Sequence, residues 1–279
     1  MSEAAVVYEL VDVGPNLRDR VFAADLSAVL HRSFAAGVRD LVLTSTDDRS
    51  LVQNLDIIMR YAPTRGSTTP RMRMTCGIHP NQATTFRACT IERMRSFCQA
   101  YPEQVAAIGE CGLDYFRSPQ TVVQQLLMFE EQIKLAIELQ LPLFLHDRDS
   151  RGDMARVLSK YEGVLPPFMI HCFTSSEADL DAYLALGAYI SVTGFVTMEK
   201  RGADLRTFIG KVPHDRLVLD SDAPYMSPDG AQSKIRHRNE PCLLPLLLPT
   251  LAECFQLSEE RIAEMTTANA RRFFGLSSQ

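Results

Sequence analysis

The stretch VAAIGECGLDYFRSPQTVVQQLLMFEEQIKLAIELQLPLFLHD, residues 105–147, decides the fold because it holds one complete strand–helix–strand unit. Its two ends, 105–114 and 141–147, are nearly continuous apolar runs, which are typical of strands buried on both faces of a parallel sheet. Between them, apolar residues recur three or four positions apart, and this spacing predicts a helix with one buried face. These residues are Leu126, Phe129, Ile133, Ala136 and Ile137. The unit therefore predicts a parallel sheet whose strands alternate with covering helices.

Apolar runs of this kind occur eight times along the chain, with helical spacing between them. The runs are 6–14, 40–46, 72–80, 105–114, 141–147, 167–173, 188–194 and 216–222. The remaining segment, 240–279, is predicted to form closing helices, of which RIAEMTTANARRFF is the clearest. No Ser/Gly-rich linker separates the units, and one α/β barrel of ~250 residues would absorb most of the chain. We therefore expect a single (β/α)8 TIM barrel over residues 1–279, rather than two doubly wound domains.

Charge and composition limit the classes of function. With 29 Lys and Arg against 34 Asp and Glu, the net charge is −5, which excludes a simple polycationic coat for nucleic acid but leaves local basic patches open. Seven cysteines without a C-x-x-C pair, and a start without a basic and apolar leader, indicate reduced thiols inside a cell. We expect a cytoplasmic protein, with the nucleus and the mitochondrion left open. The apolar run 243–255 is broken by Pro245 and Pro249, so no membrane span is expected.

Polar residues stand at or near the C-terminal ends of five of the apolar runs. They are His79, Glu110, His146, His171 and Asp222. In a β/α barrel the carboxyl ends of the strands meet at one face, and this face carries the catalytic groups. Imidazole nitrogens and carboxylate oxygens are common ligands of divalent metals, and ligands from separate strands converge without helical spacing. The sequence therefore predicts a divalent metal site at this end of the barrel.

Each of these residues taken alone also fits a structural role. His146 would serve as a core histidine bonded to a carbonyl group, and the glycines around Glu110 would serve only close strand packing. An unpaired glutamate within an apolar strand is costly, however, so a buried Glu110 requires a partner. The joint occurrence of such residues on five strands favours the metal site. His31 and His214 lie in helix and loop contexts and are expected to be ordinary surface histidines.

Several rare motifs, in order along the chain, resemble those of the TatD family of metal-dependent deoxyribonucleases. They are DVGPNL (12–17), CGIHP (76–80), AIGECGLDYFR (107–117), LFLHDRD (143–149), IHCFT (170–174), LDSDAPY (219–225) and RNEP (238–241). The resemblance extends from near residue 11 to the last helix and implies a metallo-dependent hydrolase barrel. It further implies a 3′-to-5′ exonuclease that hydrolyses phosphodiester bonds of single-stranded DNA, with RNA as a further substrate. A role in DNA repair or DNA degradation is implied as well.

Carried over residue by residue, the resemblance implies which side chains form the site. Glu110, His146, His171 and Asp222 match the metal-binding positions of the family. Glu110, Asp222 and His79 are the expected catalytic residues, with Asp222 as one candidate for the base that activates water. His79 would contact the phosphate or assist proton transfer to the leaving group.

The first motif departs from the pattern of many relatives. They begin with an H-x-H pair, whereas this chain has Gly14 and Asn16 at those positions. Without these imidazoles the site is richer in oxygen donors, which favours Mg²⁺ as the cofactor, with Mn²⁺ or Zn²⁺ as alternatives and one or two ions bound. Asp220 is expected to lie behind the metal ligands.

Basic and aromatic residues close to these motifs are the candidates for contacts with DNA. The expected substrate-binding residues are Asn16, Arg117, Arg148, Arg238 and Tyr225. Guanidinium groups suit phosphate oxygens, and aromatic rings stack on splayed bases, each worth ~1–3 kcal/mol. The alternative to a substrate contact is that Asn16 would cap a turn and that any single arginine would only solvate a loop. Further candidates of these kinds are Lys200, Arg201, Arg236, His237, Tyr115 and Phe116.

Three functions remain open at this point. The first is a metal-dependent exonuclease on single-stranded nucleic acid. The second is a metal-dependent hydrolase of a smaller ester, amide or aminoacyl substrate, because a barrel and a metal site do not by themselves fix the substrate. The third is a catalytically silent scaffold or DNA-binding protein. The complete set of Glu110, His146, His171 and Asp222 argues against this third function.

Overall fold

Parallel strands form the centre of the fold in the computed structural model, which describes residues 6–231 and 238–277. Within these residues the sheet has eight strands, hydrogen-bonded to one another in chain order. They are β1 (Leu10–Asp12), β2 (Val38–Leu43), β3 (Arg71–Cys76), β4 (Val105–Asp114), β5 (Leu143–Arg148), β6 (Phe168–His171), β7 (Tyr189–Val192) and β8 (Leu217–Leu219). Apolar side chains on both faces of these strands explain why they are covered on the inside and the outside. The predicted (β/α)8 TIM barrel is confirmed.

Helices pack on the outside of the strands. Those described are α1 (Leu26–Ala35), α2 (Asp48–Arg60), α3 (Ala88–Ala100), α4 (Val122–Leu139), α5 (Asp153–Ser159), α6 (Glu177–Ala185), α7 (Ala203–Phe208), α8 (Leu248–Phe255) and α9 (Glu259–Phe274). Several begin at a polar cap. Asp47 and Ser176 accept hydrogen bonds from the third residue of α2 and α6, which satisfies donors that the first turn leaves free. These caps fix where the chain leaves the barrel rim and turns into each helix.

The lower end of the barrel, where the strands begin, is closed by α9. Asn269 donates hydrogen bonds to the carbonyl oxygens of His214 and Leu217, at the start of β8. The last turn of α9 joins the apolar cluster inside the barrel. This cluster includes Val42, Phe144, Met169, Val218, Ala270, Phe273 and Phe274. Because apolar side chains fill this end, a ligand can reach the interior only from the end where the strands finish.

The barrel closes between β8 and β1 through contacts beyond the strand ends. The backbone N–H of Ser221 donates to Oδ1 of Asp12 at 2.8 Å, and the N–H of Asn16 donates to the carbonyl oxygen of Ala223 at 2.7 Å. We call these four residues the seam. The seam lies at the open end of the barrel, next to the motifs that contain Asn16 and Asp222.

Apart from β4, which matches its predicted run, the strands are shorter than the predicted runs. β3 ends at Cys76 and β8 ends at Leu219, so His79 and Asp222 lie in the loops that follow these strands. His79 begins a short 3-10 turn, and Asp222 has a left-handed backbone with φ of 48°. Asp222 is held in this conformation because its N–H donates to Oδ1 of Asp220 at 2.8 Å. Beyond the end of β8, a hydrogen bond within the loop thus fixes the backbone, in place of the hydrogen bonds between strands.

The predicted closing helices are α8 and α9, preceded by a 3-10 segment at Pro241–Leu247. They pack on the barrel through buried residues such as Leu248, Leu251 and Ile262. No single helix in the described part of the chain is long and apolar enough to cross a membrane. Pro241–Phe255 and Glu259–Phe274 reach that length and composition only together, as a pair bent by 105°.

Candidate active site

A cavity of about 640 Å³ opens at the end of the barrel where the strands finish. Its lining contains carboxylates, imidazoles and arginines from at least five of the strand-to-helix loops. The residues are Asn16, Arg18, Thr46, His79, Asn81, Gln82, Glu110, Arg117, His146, Asp147, Arg148, His171, Cys172, Thr174, Phe195, Arg201, Asp222, Tyr225 and Met226. The structure thus brings together all the predicted metal ligands, and nearly all the predicted substrate contacts, in one place.

Glu110 lies at the centre of the charged groups. Its Oε1 is 2.9 Å from Nδ1 of His146, 3.4 Å from Nε2 of His79 and 3.8 Å from Nε2 of His171. The side chain is 6% exposed, so water does not replace these partners. Burial raises the pKa of this carboxyl, but the neighbouring imidazoles of His79, His146 and His171 outweigh burial and hold the pKa well below its usual range. Glu110 is therefore a carboxylate fixed among imidazoles.

His171 is oriented by a buried carboxylate behind it. Its Nδ1 hydrogen-bonds Oδ2 of Asp220 at 2.5 Å, and the hydroxyl of Ser191 donates to the same oxygen at 2.8 Å. Burial lowers the pKa of His171, but the charge and hydrogen bond of Asp220 outweigh it and raise the pKa to about 10. With Nδ1–H directed to Asp220, Nε2 faces Glu110 and Asp222 as the nitrogen available for a metal. Carboxylate–histidine pairs of this kind orient metal ligands in many proteins.

His146 has a similar supporting residue. Its Nε2 lies 3.2 Å from Oδ2 of Asp114, a fully buried carboxylate at the end of β4. Burial lowers the pKa of His146, but the bonds with Asp114 and Glu110 together raise it to about 9. When Nε2 donates to Asp114, Nδ1 becomes the coordinating nitrogen on the side of Glu110. Asp114 was not among the residues predicted for the site, although it ends the apolar run 105–114, which is the same signal that identified His146 and His171.

His79 presents a donor rather than a metal ligand. Its Nδ1 accepts a hydrogen bond from the backbone N–H of Asn81 at 3.0 Å. Burial lowers the pKa of His79, which favours the neutral ring. A neutral ring whose Nδ1 accepts must carry its proton on Nε2, the nitrogen that faces Glu110. The ligand atoms of His79, Glu110 and His146 lie within 4.8 Å of one another, but this tautomer leaves His79 without a free lone pair at the centre.

The donor set fits a divalent cation because negative charge is in excess around Glu110. Burial, followed by the charges of Asp220 and Glu110, raises the pKa of Asp222 to about 8, although His171 opposes this shift. Burial and the charge of Asp220 likewise raise the pKa of Asp12 to about 7. Among the described residues, Oδ2 of Asp12 is also buried without a hydrogen-bond partner. A cation held by Glu110, His146, His171 and Asp222 would relieve this crowding, and its binding would displace protons.

Gly14 explains how the site accommodates Asp220. A Cβ atom on Gly14 would lie 2.0 Å from Oδ1 of Asp220, far inside van der Waals contact. Asp220 is itself fixed by His171 and by the N–H of Asp222. The space where many relatives have the first histidine of the H-x-H pair is thus filled by a carboxylate from the other side of the seam.

Basic side chains surround the carboxylate centre. Of the residues described, four arginines line the cavity: Arg18, Arg117, Arg148 and Arg201. Arg18 donates to the Thr46 hydroxyl at 2.7 Å. Within the described parts of the chain, the guanidinium groups of the other three donate no hydrogen bond to protein, and each is accessible for phosphate oxygens. This local positive charge offsets the acidic total of the chain. The sequence motifs pointed to Arg117, Arg148 and Arg201, but not to Arg18.

Asn16 and Tyr225 both line the cavity near Asp222. Nδ2 of Asn16 donates to Oδ1 of Asp222 at 3.3 Å and to the carbonyl oxygen of Gly14 at 3.4 Å. Asn16 therefore positions Asp222 in addition to lining the cavity. Tyr225 is 55% exposed, and its hydroxyl donates to Asp19 at 3.4 Å, which leaves the ring face open to the cavity.

The structure does not bring Arg238 to the cavity. Its guanidinium is 5% exposed, donates to Asp25, Glu240 and the carbonyl oxygen of Val21, and lies 4.9 Å above the ring of Phe22. The role expected for Arg238 in phosphate binding is therefore replaced by a structural one, because its donors are already occupied. The RNEP motif lies close to the site in sequence, but this side chain turns toward α1. Lys200 is exposed outside the cavity, while Arg236 and His237 lie outside the described residues.

Replacing Arg238 with glutamine is expected to lower the free energy of unfolding by about 1 to 3 kcal/mol, because Asp25 and Glu240 lose a buried partner. The KM for oligonucleotides should change little. Chemical denaturation and steady-state kinetics measure the two effects. Arg32→Gln is the matched control, since Arg32 contacts the same two carboxylates but is 44% exposed; it should cost less than about 1 kcal/mol. A large rise in KM with unchanged stability would show that Arg238 binds substrate.

Sequence comparisons place the chain among nucleases. The family model described as TatD related DNase matches residues 11–275. The 3′-5′ ssDNA/RNA exonuclease TatD of Yersinia pseudotuberculosis serotype O:3 is 37% identical over 268 residues, which cover 96% of this chain and 100% of that protein. The protein of the same name from Salmonella typhimurium is 35% identical, and the match covers 95% of this chain and 98% of that protein.

Solved structures agree with these matches. YJJV, a TatD homologue from Escherichia coli k12, has a TM-score of 0.85 and 27% identity, with coverage of 96% of this chain and 98% of that one. A hydrolase of the TatD family from Entamoeba histolytica has a TM-score of 0.86, with coverage of 98% and 100%. At 22% identity, this second likeness bears on the fold alone.

Proposed function

The chain belongs to the TatD family of related DNases, and from this premise we propose that it is a 3′-to-5′ exonuclease on single-stranded DNA and RNA. As a member of this family it is a hydrolase that acts on phosphodiester bonds. The printed names of its relatives in Yersinia and Salmonella support the polarity and the substrate. The hydrolase of a small ester or amide, which the sequence left open, is not favoured by these matches.

The observation that carries the proposal is the pairing of two kinds of charge in one cavity. Glu110, Asp222 and the imidazoles form a centre suited to a cation, and Arg117, Arg148 and Arg201 surround it with donors that the described residues leave free. A small neutral ester needs no such ring of guanidinium groups. A polynucleotide needs it, because each nucleotide brings a phosphate that must be neutralised.

We propose Mg²⁺ as the cofactor, held by Glu110, His146, His171 and Asp222, with Mn²⁺ as the alternative. Gly14 and Asn16 stand at the positions where many relatives have the H-x-H pair, so the site has fewer nitrogen donors, and hard cations prefer oxygen donors. When bound, such an ion polarises the phosphate and lowers the pKa of water.

The residues of the chain then have separate tasks. Asp222 accepts a proton from the attacking water, and its carboxylate lies in the cavity next to His171 and Glu110, where the scissile phosphate would bind. His79 donates its Nε2–H to a phosphate oxygen or to the leaving oxygen of the sugar. Asp114 and Asp220 keep His146 and His171 in the orientation that the centre needs. Arg117 and Arg148 bind the non-bridging oxygens of the phosphates.

The decisive experiment follows labelled single-stranded oligonucleotides during incubation with the protein and Mg²⁺. A 5′ label should appear in a ladder of products shortened one nucleotide at a time, and a 3′ label should appear at once as mononucleotide. EDTA and Asp222→Asn should each abolish both products, because they remove the cation and one of its ligands. Internal cutting, release from the 5′ end or full activity in EDTA would contradict the proposal.

We also propose a cytoplasmic location and a role in DNA repair or degradation. The seven cysteines are unpaired in the structure, which suits a reducing compartment. Cell fractionation followed by immunoblotting would test the location, and recovery from the cytosolic fraction is the expected result. Sensitivity of a deletion strain to DNA damage would test the role.

A further inference from the structure

A second cavity, of about 390 Å³, opens beside the active-site cavity. We call it the side cavity and define it by residues 116, 147–151, 174–176 and 179. It shares Asp147, Arg148 and Thr174 with the larger cavity, so the two are continuous at this boundary. Its volume lies in the range of roughly 300 to 1,000 Å³ that holds small organic ligands.

An exposed aromatic ring stands on this boundary. Phe116 is 63% exposed, although a phenyl ring in water gains nothing for the stability of the fold. The guanidinium carbon of Arg148 lies 4.1 Å from the ring centroid and covers one face. Arg148 contacts only this one face of the ring. With most of its surface exposed, the ring offers area on which a ligand can stack.

The backbone holds Phe116 firmly in this position. The N–H of Tyr115 donates to the carbonyl oxygen of Arg148 at 3.0 Å, and the N–H of Arg117 donates to Oδ1 of Asp114 at 2.8 Å. Both neighbours of Phe116 are thus tied by their backbone, and one of the partners, Asp114, also supports His146. A ligand that stacks on the ring loses little entropy from ordering the protein.

Two of the three carboxylates of the side cavity accept a hydrogen bond from a protein hydroxyl. Asp147 accepts a hydrogen bond from the hydroxyl of Tyr183, and Asp179 accepts from the hydroxyl of Ser176 at 2.6 Å. Asp149 lies 3.6 Å from a guanidinium nitrogen of Arg151. The guanidinium of Arg148, by contrast, donates no hydrogen bond to any described residue. A phosphate that enters here meets an available cation next to a flat apolar ring.

We propose that the side cavity binds the nucleotide on the 5′ side of the scissile phosphate, with its base stacked on Phe116 and a phosphate on Arg148. The inference rests on the proposed exonuclease function, which places the 3′-terminal nucleotide in the main cavity. Stacking on aromatic rings is how proteins bind single strands without reading their sequence. A base paired in a duplex cannot reach the ring without breaking its pair, so this contact also selects for single strands.

The test compares two substrates in the holoenzyme with Mg²⁺. One is a single-stranded oligonucleotide, and the other is the methyl ester of thymidine 5′-monophosphate, which has the scissile bond but no nucleotide on the 5′ side. In Phe116→Ala, the ratio of kcat/KM for the oligonucleotide to kcat/KM for the methyl ester should fall about 5- to 100-fold, the loss of one stacked base. Phe116→Tyr should keep the wild-type ratio.

Tyr101→Ala is the matched control, because Tyr101 is an exposed aromatic residue just before β4, at the opposite end of the barrel. It should leave the ratio unchanged. A second measurement uses an oligonucleotide with 2-aminopurine as the penultimate base, bound to the Glu110→Gln protein, which does not hydrolyse it. Its fluorescence should be quenched, and the quenching should be lost when Phe116→Ala is added.

The outcomes separate this inference from the proposed function. If the wild type hydrolyses both substrates and Phe116→Ala keeps the ratio and the quenching, the stacking site is overturned while the exonuclease stands. If the wild type hydrolyses neither substrate with Mg²⁺, the proposed function fails, and the quenching measurement alone decides whether Phe116 binds a base.

Discussion

Replacing Glu110 with glutamine is expected to lower kcat for phosphodiester hydrolysis about a thousandfold or more, because a bound metal supplies several kcal/mol of transition-state stabilisation and each 1.36 kcal/mol is tenfold in rate. Glutamine has the same shape but no charge. Its amide cannot balance a cation, and its NH₂ group would face the imidazole nitrogens that lie 2.9 to 3.8 Å from Oε1. The fold should persist, since the packing around the side chain is unchanged.

Two measurements check the effect. Kinetics on a single-stranded oligonucleotide give kcat, and isothermal titration with Mg²⁺ or Mn²⁺ gives the metal affinity, which should fall more than about 100-fold, beyond the usual effect of a residue behind the ligands. The matched control is Glu162→Gln at an exposed position, which should change neither value. A wild-type kcat in Glu110→Gln would show that the carboxylate of Glu110 is not needed for hydrolysis.

Replacing Gly77 with alanine is expected to lower the free energy of unfolding by about 3 kcal/mol or more, which for a chain of this size is a fall in Tm of roughly 6 to 12 °C. A Cβ atom at this position would lie 2.1 Å from the carbonyl carbon and 2.4 Å from Cα of Gly109. Both contacts are with backbone, so no side chain can turn away to relieve them. β4 would have to move, and Glu110 is the residue after Gly109.

The loss of stability should therefore come with a loss of metal binding, although Gly77 touches no ligand of the metal itself. Thermal unfolding with and without Mg²⁺ measures both effects in one experiment. Gly163→Ala is the control, because Gly163 has a φ of +84° but nothing within 4 Å of an added Cβ. It should cost only about 1 to 2 kcal/mol and leave metal binding intact. Equal losses of stability and of metal binding in the two variants would show that the close approach of Gly77 and Gly109 does not determine either property.

The fold and the centre of the site could be predicted because both depend on regular patterns. Buried parallel strands require near-continuous apolar runs, and a polar residue such as His146 or His171 at the end of such a run has few other reasons to be there. Strand order then brings these residues together at one face. Glu110 was identifiable for the same reason, since burial of a lone carboxylate demands partners.

The features that could not be predicted from the sequence depend on the conformation of the loops. Asn81 fixes the tautomer of His79 through its backbone N–H, a contact that any residue type other than proline could make. Arg18 and Arg238 both lie in or next to motifs of the resemblance, yet of these two only Arg18 lines the cavity. The guanidinium of Arg238 forms ion pairs with Asp25 and Glu240 instead. The packing of Asp220 into the space beside Gly14 also required coordinates, since the two residues are far apart in the chain.

The seam makes the candidate site depend on both ends of the chain. Asp12 and Asn16 come from the start of the chain and Ser221 and Ala223 from near its end, and Asp222 stands between the last two. A nascent chain that has emerged only as far as β7 contains His79, Glu110, His146 and His171, but it has no Asp222 and cannot complete the ring. The complete set of candidate ligands therefore comes together only when the segment after β8 has joined the start of the chain.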